Sequence, residues 1–190
     1  SYRIGRPHRR IAAALEAVER GEIKRLAIFM PPRHGKTMLA SENFPSWYLG
    51  RNPEHYVIAA SHTQELADEI GRKVRNQIAG ESFKAIFRNV GLRQDSTSAR
   101  RFHTTHDGVY FAAGIGGPIT GRGAHLLLID DPIKSRAIAE SKVERNKIWD
   151  WYTSVAYTRL MPGAAVVVIQ TRWHPDDLAG RLLRDHADEG

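Results

Sequence analysis

Apolar positions along the chain follow two rhythms. Ile11, Leu15 and Val18 recur at helical spacing, with Pro7 suited to a first turn and Gly21 to a stop. They predict a helix over 6–20. Leu66, Ile70, Val74 and Ile78 recur every fourth residue after Ser61 and Thr63, either of which can cap a second helix. Between them lie short apolar runs of strand length, at 24–30 (KRLAIFM) and 56–60. Two more such runs stand at 126–129 and 165–169. A helix is predicted over 36–49, closed by Gly50-Arg51-Asn52-Pro53, and a short one over 81–89. Segments 101–105 and 109–113 read as a hairpin around His106-Asp107-Gly108. The five glycines of 114–123 read as loop, and a long helix is expected over 139–160, broken by Met161-Pro162-Gly163. A last helix follows Pro175.

Strands alternating with helices predict an α/β domain with a mostly parallel, buried sheet and a small β-hairpin insertion. In such folds ligands bind at the carboxyl ends of the strands. Three of the four core runs end in polar, reactive residue types. That recurrence carries more information than any one motif.

Composition narrows the class. The 190 residues suffice for one domain, and 42% hydrophobic with 26% charged is ordinary globular composition. No run approaches a membrane span, and no membrane partner is expected. Cys is absent, which excludes a thiolate metal site and a cysteine nucleophile. The N-terminus SYRIGRPHRR lacks the apolar stretch of a signal peptide and an initiator Met, so the chain reads as trimmed from something longer. Lys and Arg number 28 against 21 acids, a net charge of +7, which points to a polyanionic partner.

Gly35-Lys36-Thr37 is the GK[ST] core of a phosphate-binding loop, placed after a strand and at the start of a helix, as the motif requires. The loop from Pro32 through Arg33, His34 and Gly35 to Met38 would wrap the phosphates, with the backbone N–H groups from Arg33 onward facing them. Lys36 would reach the terminal phosphates of ATP and the Thr37 hydroxyl would ligate Mg²⁺. The loop departs from the full pattern at Met30, where a Gly is usual, and Pro31 and Pro32 remove two donors. The strand at 126–129 ends in Asp130 and Asp131. Paired acids suit ATP hydrolysis, with Asp130 assigned to the metal and Asp131 to the attacking water. Glu140 or Glu144 is the weaker candidate for the base. The adjacent acids resemble those of the P-loop ATPases that use a catalytic carboxylate, a resemblance that implies an extra strand between the loop strand and the acidic strand. Segment 165–169 would be that strand, with Gln170 at its tip, where its amide can donate and accept.

Four segments, in this order, resemble the ATPase domain of the large terminase subunit of tailed bacteriophages. They are Pro7-His8-Arg9 with its helix, PPRHGKT at 31–37, TGRGAHLLLIDDP at 120–132 and QTRWHPDDL at 170–178. The resemblance implies a P-loop motor that drives double-stranded DNA through a portal protein into a procapsid. It implies work alongside a small terminase subunit, in the host cytoplasm during virus assembly, as a homo-oligomeric ring. It assigns Arg33 to the phosphates and His8 to the adenine. It also asks for an arginine acting across the ring, for which Arg122 is the first candidate and Arg101, Arg159 and Arg172 are others. The family's C-terminal nuclease domain is expected to be missing from this single-domain chain, and with it any DNA cleavage.

The same residues leave a helicase-like or recombination ATPase, a small-molecule kinase and a nucleotide-dependent binding module as alternatives. His103 and His106 are poorly spaced for a metal on a hairpin. Trp149, Trp151 and Tyr152 read as packing. Lys134, Arg136, Lys142, Arg145 and Lys147 read as a solvated face or a DNA channel, with Arg100-Arg101 comparable.

Overall fold

The computed structural model describes residues 5–119 and 123–185. A seven-stranded sheet runs through the molecule. Its strands are β1 (Arg25–Phe29), β2 (Tyr56–Ser61), β3 (Leu92–Thr97), β4 (Arg101–Thr104), β5 (Val109–Gly114), β6 (Ala124–Asp130) and β7 (Leu160–Gln170). They lie in the order β1-β7-β6-β2-β5-β4-β3. The first five are parallel, and β4 and β3 extend the far edge antiparallel. The hairpin at 101–113 is present, with Asp107 at φ 62° in its turn, but its second strand is the fifth member of the parallel sheet.

Helices cover both faces. One layer holds α1 (Arg6–Glu19), a π-helical segment Met38–Asn43 continuing into α2 (Phe44–Arg51), and α3 (Gln64–Ala79), with the short α4 (Glu81–Ile86) beyond it. Thr63 caps α3 by accepting from Leu66 N–H. The other layer holds α5 (Arg136–Glu140), α6 (Lys142–Trp151) and α7 (Leu178–Asp185). Strand alternation divides the core between them. Leu126, Leu128, Val167 and Ile169 pack towards the first layer, and Leu127, Ile129, Val166 and Val168 towards the second. Being buried on both faces, these strands read as unbroken apolar runs.

The helix expected over 139–160 is not one helix. Ser141 separates α5 from α6 by capping α6, its hydroxyl accepting from Glu144 N–H. The chain then passes through a π-helical turn, Tyr152–Ala156, and a 3₁₀ turn, Tyr157–Arg159. Leu160-Met161-Pro162-Gly163 is the exposed start of β7 rather than a break before it. Trp151 and Tyr152 are core residues, as read, and Trp151 Nε1–H donates to Gly117 O at 2.9 Å. No described helix is long and apolar enough to cross a membrane.

Candidate active site

Register brings the polar ends of three strands together. Phe29 lies abreast of Gln170, and Asp130 abreast of both Ile169 and Ser61. The phosphate loop leaves β1 at this edge. Its apex is left-handed, with Arg33 at φ 62° and Gly35 at φ 79°. Pro32, Arg33 and His34 are exposed, while Lys36 is 5% exposed as the first helical residue. His8 Nδ1 accepts from Gly5 N–H at 3.0 Å, so Nε2 carries the proton and donates to His34 O at 2.9 Å. His34 Nδ1 in turn lies 2.8 Å from Pro32 O. The residue that the family resemblance assigned to adenine thus braces the loop from α1.

Lys36 Nζ is the centre of the site. It lies 2.6 Å from Asp131 Oδ2 and donates to Thr171 Oγ1 at 2.9 Å. Asp131 Oδ1 accepts from Thr171 N–H at 2.9 Å. The Asp131 backbone sits at φ 41°, a left-handed position for a residue with a side chain. Two backbone contacts and the carboxylate hold it there. Its N–H donates to Ile169 O at 2.8 Å, its carbonyl lies 3.2 Å from His62 Nδ1, and its carboxylate is shared as above. The turn swings Asp131 out of the strand's alternation and over Lys36.

Asp130 keeps the alternation. It follows Leu126 and Leu128 onto the face of the phosphate-loop helix, where Thr37 and Ser41 stand beside it. It is 4% exposed, and burial pushes its carboxyl up to about 6. The Asp131 charge adds to this, while the Ser41 and Thr37 hydroxyls and Lys36 act the other way. Even so, Oδ1 of Asp130 and Oγ of Ser41 are buried with no hydrogen-bond partner. A buried carboxylate beside a threonine hydroxyl suits a hard divalent cation with oxygen ligands. Thr37 and Asp130 therefore fit Mg²⁺. Among the described residues no group of three or more His, Asp or Glu could hold a metal.

Gln170 ends β7 as predicted, between β1 and β6. It is 2% exposed, its Oε1 has no partner, and alternation puts it on the face of Val166 and Val168. The contacts with Lys36 and Asp131 are made by the next residue, Thr171, which also donates to Met30 O at 3.3 Å. Thr171 and Ser41 are the site residues that sequence reasoning missed. Serine, with its small hydroxyl, recurs along the chain, and nothing local distinguishes Ser41.

The arginines separate. Arg122 lies outside the described residues. Arg172 Nε pairs with Asp177 at 2.9 Å and its guanidinium sits 5.1 Å from the Phe29 ring centre. Arg159 Nε is buried without a partner, and Arg101 is exposed. Arg100 pairs with Asp68. Arg145, read as part of a basic face, is instead an internal strut. Its side chain is 9% exposed and holds Asp176 and the Ala139 carbonyl. Lys147 pairs with Glu144 and Arg136 with Glu140. His174 Nδ1 accepts from Asp176 N–H, and Trp173 is 37% exposed.

Three solved structures share the fold. The large terminase of bacteriophage HK97 aligns with 98% of this chain and 37% of its own, at 13% identity and a TM-score of 0.64. The large terminase of a thermophilic bacteriophage aligns with 98% and 44%, at 12% identity and 0.62. The large terminase ATPase domain of a Thermus phage aligns with 82% and 62%, at 14% and 0.53. The chain spans less than half the length of the first two. A comparison with curated proteins gives no match. The family described as terminase large subunit, T4likevirus-type, N-terminal, matches residues 27–188, from the loop strand through α7. The chain belongs to that terminase large-subunit family.

Proposed function

We propose that the chain is an ATP-hydrolysing motor domain that drives double-stranded viral DNA into a procapsid. The observation that carries this reading is the cluster of Lys36, Asp131 and Thr171 at the carboxyl edge of the sheet, on a member of the terminase family. In this reading ATP phosphates lie over the loop 32–38, with Arg33 and the backbone N–H groups around them and Lys36 turned onto the terminal phosphates. Thr37 and Asp130 hold Mg²⁺, which when bound neutralises charge on the phosphate oxygens. Asp131 orients a water and takes its proton as the water oxygen bonds to the terminal phosphorus. The bond to the bridging oxygen breaks, leaving ADP and phosphate. Gln170 and Thr171 report the change to the segment leading into α7. Arg122 acts on the neighbouring site in a ring. Portal protein, small terminase subunit and duplex DNA are the partners, in the host cytoplasm during virus assembly.

The test is ATP hydrolysis by wild type and Asp131→Ala over a range of protein concentrations, with and without duplex DNA. Turnover that rises steeply with concentration, responds to DNA and falls by about 10²-fold or more in the variant is expected. Turnover linear in concentration and untouched by Asp131→Ala would sink the assignment. Indifference to DNA would favour a kinase or a binding module.

A further inference from the structure

Three residues that each carry an unpartnered polar atom line one cavity behind the acidic strand. Ser41 Oγ, Tyr110 OH and Asp130 Oδ1 are all buried without a hydrogen-bond partner, and their residues line one internal cavity. The cavity offers about 10 Å³, and its other walls are apolar save for Ser61. Buried polar groups are rarely left unpaired, and three around one small space call for a shared partner. A space of that size accommodates one water, which needs two to four polar neighbours. Tyr110 is held in place. It is fully buried, its ring stacks on Phe102 at 4.9 Å, and Gly71 of α3 leaves it just enough room. Burial, with the Asp130 charge nearby, drives its hydroxyl pKa well upward, so it stays a donor.

We propose that this cavity holds one ordered water, which accepts from Tyr110 O–H and donates to Asp130 Oδ1 and Ser41 Oγ. The bridge fixes the rotation of the Asp130 carboxylate and turns its other oxygen to the metal. Tyr110, on a strand remote from the phosphate loop, is thereby a positioning residue for the metal site. The second half of the inference rests on reading Asp130 as a Mg²⁺ ligand; the water itself does not.

Two measurements test it. A high-resolution crystal structure should show density for one water in contact with all three oxygens, and a dry cavity would overturn the bridge. Mn²⁺ binding, read by the loss of the free-ion resonance signal in the presence of ADP, should weaken about tenfold in Tyr110→Phe and in Ser41→Ala. The double variant should weaken it by less than the product of the two. Wild-type Mn²⁺ midpoints alongside a lowered melting temperature would reduce Tyr110 to packing and overturn the positioning role. Wild type that takes up no Mn²⁺ with ADP would instead refute the nucleotide-site reading and the positioning role with it, leaving the water to the crystallographic result.

Discussion

Two residues with side chains adopt left-handed backbone at the site, and each suggests a clean substitution. Arg33 stands at φ 62° at the exposed apex of the phosphate loop. Glycine carries no penalty in that conformation, whereas an L side chain costs about 1–2 kcal/mol. Arg33→Gly should therefore leave the melting temperature unchanged or higher while ATP turnover falls by about 10²-fold. Unchanged turnover would remove Arg33 from the phosphates. Asp131 at φ 41° is the opposite case, since four contacts hold it and the proposed reaction uses its carboxylate. At the far end of the sheet, His55 and His125 stack with ring centres 4.1 Å apart. Burial lowers both pKa values, and for His125 the neighbouring His55 adds to the shift. The unfolded chain then binds protons more readily than the folded one, so their contribution to stability is complete above the unfolded value of about 6.5 and declines below it. Asp130, raised to about 6, acts in the opposite sense. The comparison that isolates the histidines is wild type against His125→Gln. In denaturant titrations the difference should move against wild type between about pH 7.5 and about pH 5.5. A difference independent of pH would show that the stacked pair does not resist protonation.

Among the elements, α7 and α6 share one carboxylate, beside a direct hydrogen bond from Arg181 to Asn146. Asp176 receives Arg181 at 2.8 Å, Arg184 at 2.5 Å and Arg145 at 3.3 Å, and its acidity is strengthened chiefly by Arg181. Arg145 is nearly buried, so loss of its partner leaves a charge without compensation. Asp176→Asn should cost about 2 kcal/mol in urea unfolding. A cost near zero would mean that the arginines find other acceptors. The elements also show what could be read beforehand. The acidic strand and the intervening strand were legible because burial on both faces makes each an unbroken apolar run ending in chemistry. The loop strand, a largely exposed edge strand, was legible through its apolar residues and the Gly35-Lys36-Thr37 that follows them. β3 was not, because LRQDST lies half exposed at the sheet edge and has no apolar rhythm. The π-helical turn at Tyr152–Ala156 was hidden by apolar residues that continue the helical spacing through it. In the site, the roles proposed for Lys36 and the acids follow from residue type, but which of Gln170 and Thr171 touches them depends on the phase of β7 as it ends. Phase at a strand's last residue is set by the neighbouring turn, which the local sequence does not reveal.

For the whole molecule, the excess of basic residues is the property that bears on DNA. Net charge +7 is no map of contacts, and the fold redistributes it. Arg145 is spent on packing, whereas Lys134 and Lys142 are exposed near the start of α6. Duplex binding should be indifferent to sequence and weaken linearly with the logarithm of salt concentration. Lys134→Ala and Lys142→Ala should each reduce that slope by about one if they meet phosphates. Arg145→Ala should change stability and leave the slope alone. Equal slopes in all variants would place the DNA path on another face.

The contact between Lys36 and Asp131 also bears on timing. One ammonium group cannot fully serve an internal carboxylate and a phosphate together, so on the proposed reading an incoming nucleotide would meet a built-in rival. Each 1.4 kcal/mol by which the pair favours itself weakens nucleotide binding tenfold, and hastens departure of ADP and phosphate to a corresponding degree. Asp131→Asn should thus hold nucleotide more tightly while failing to turn it over. In a cycling machine, the residue that prepares the water would also be the one that clears the seat.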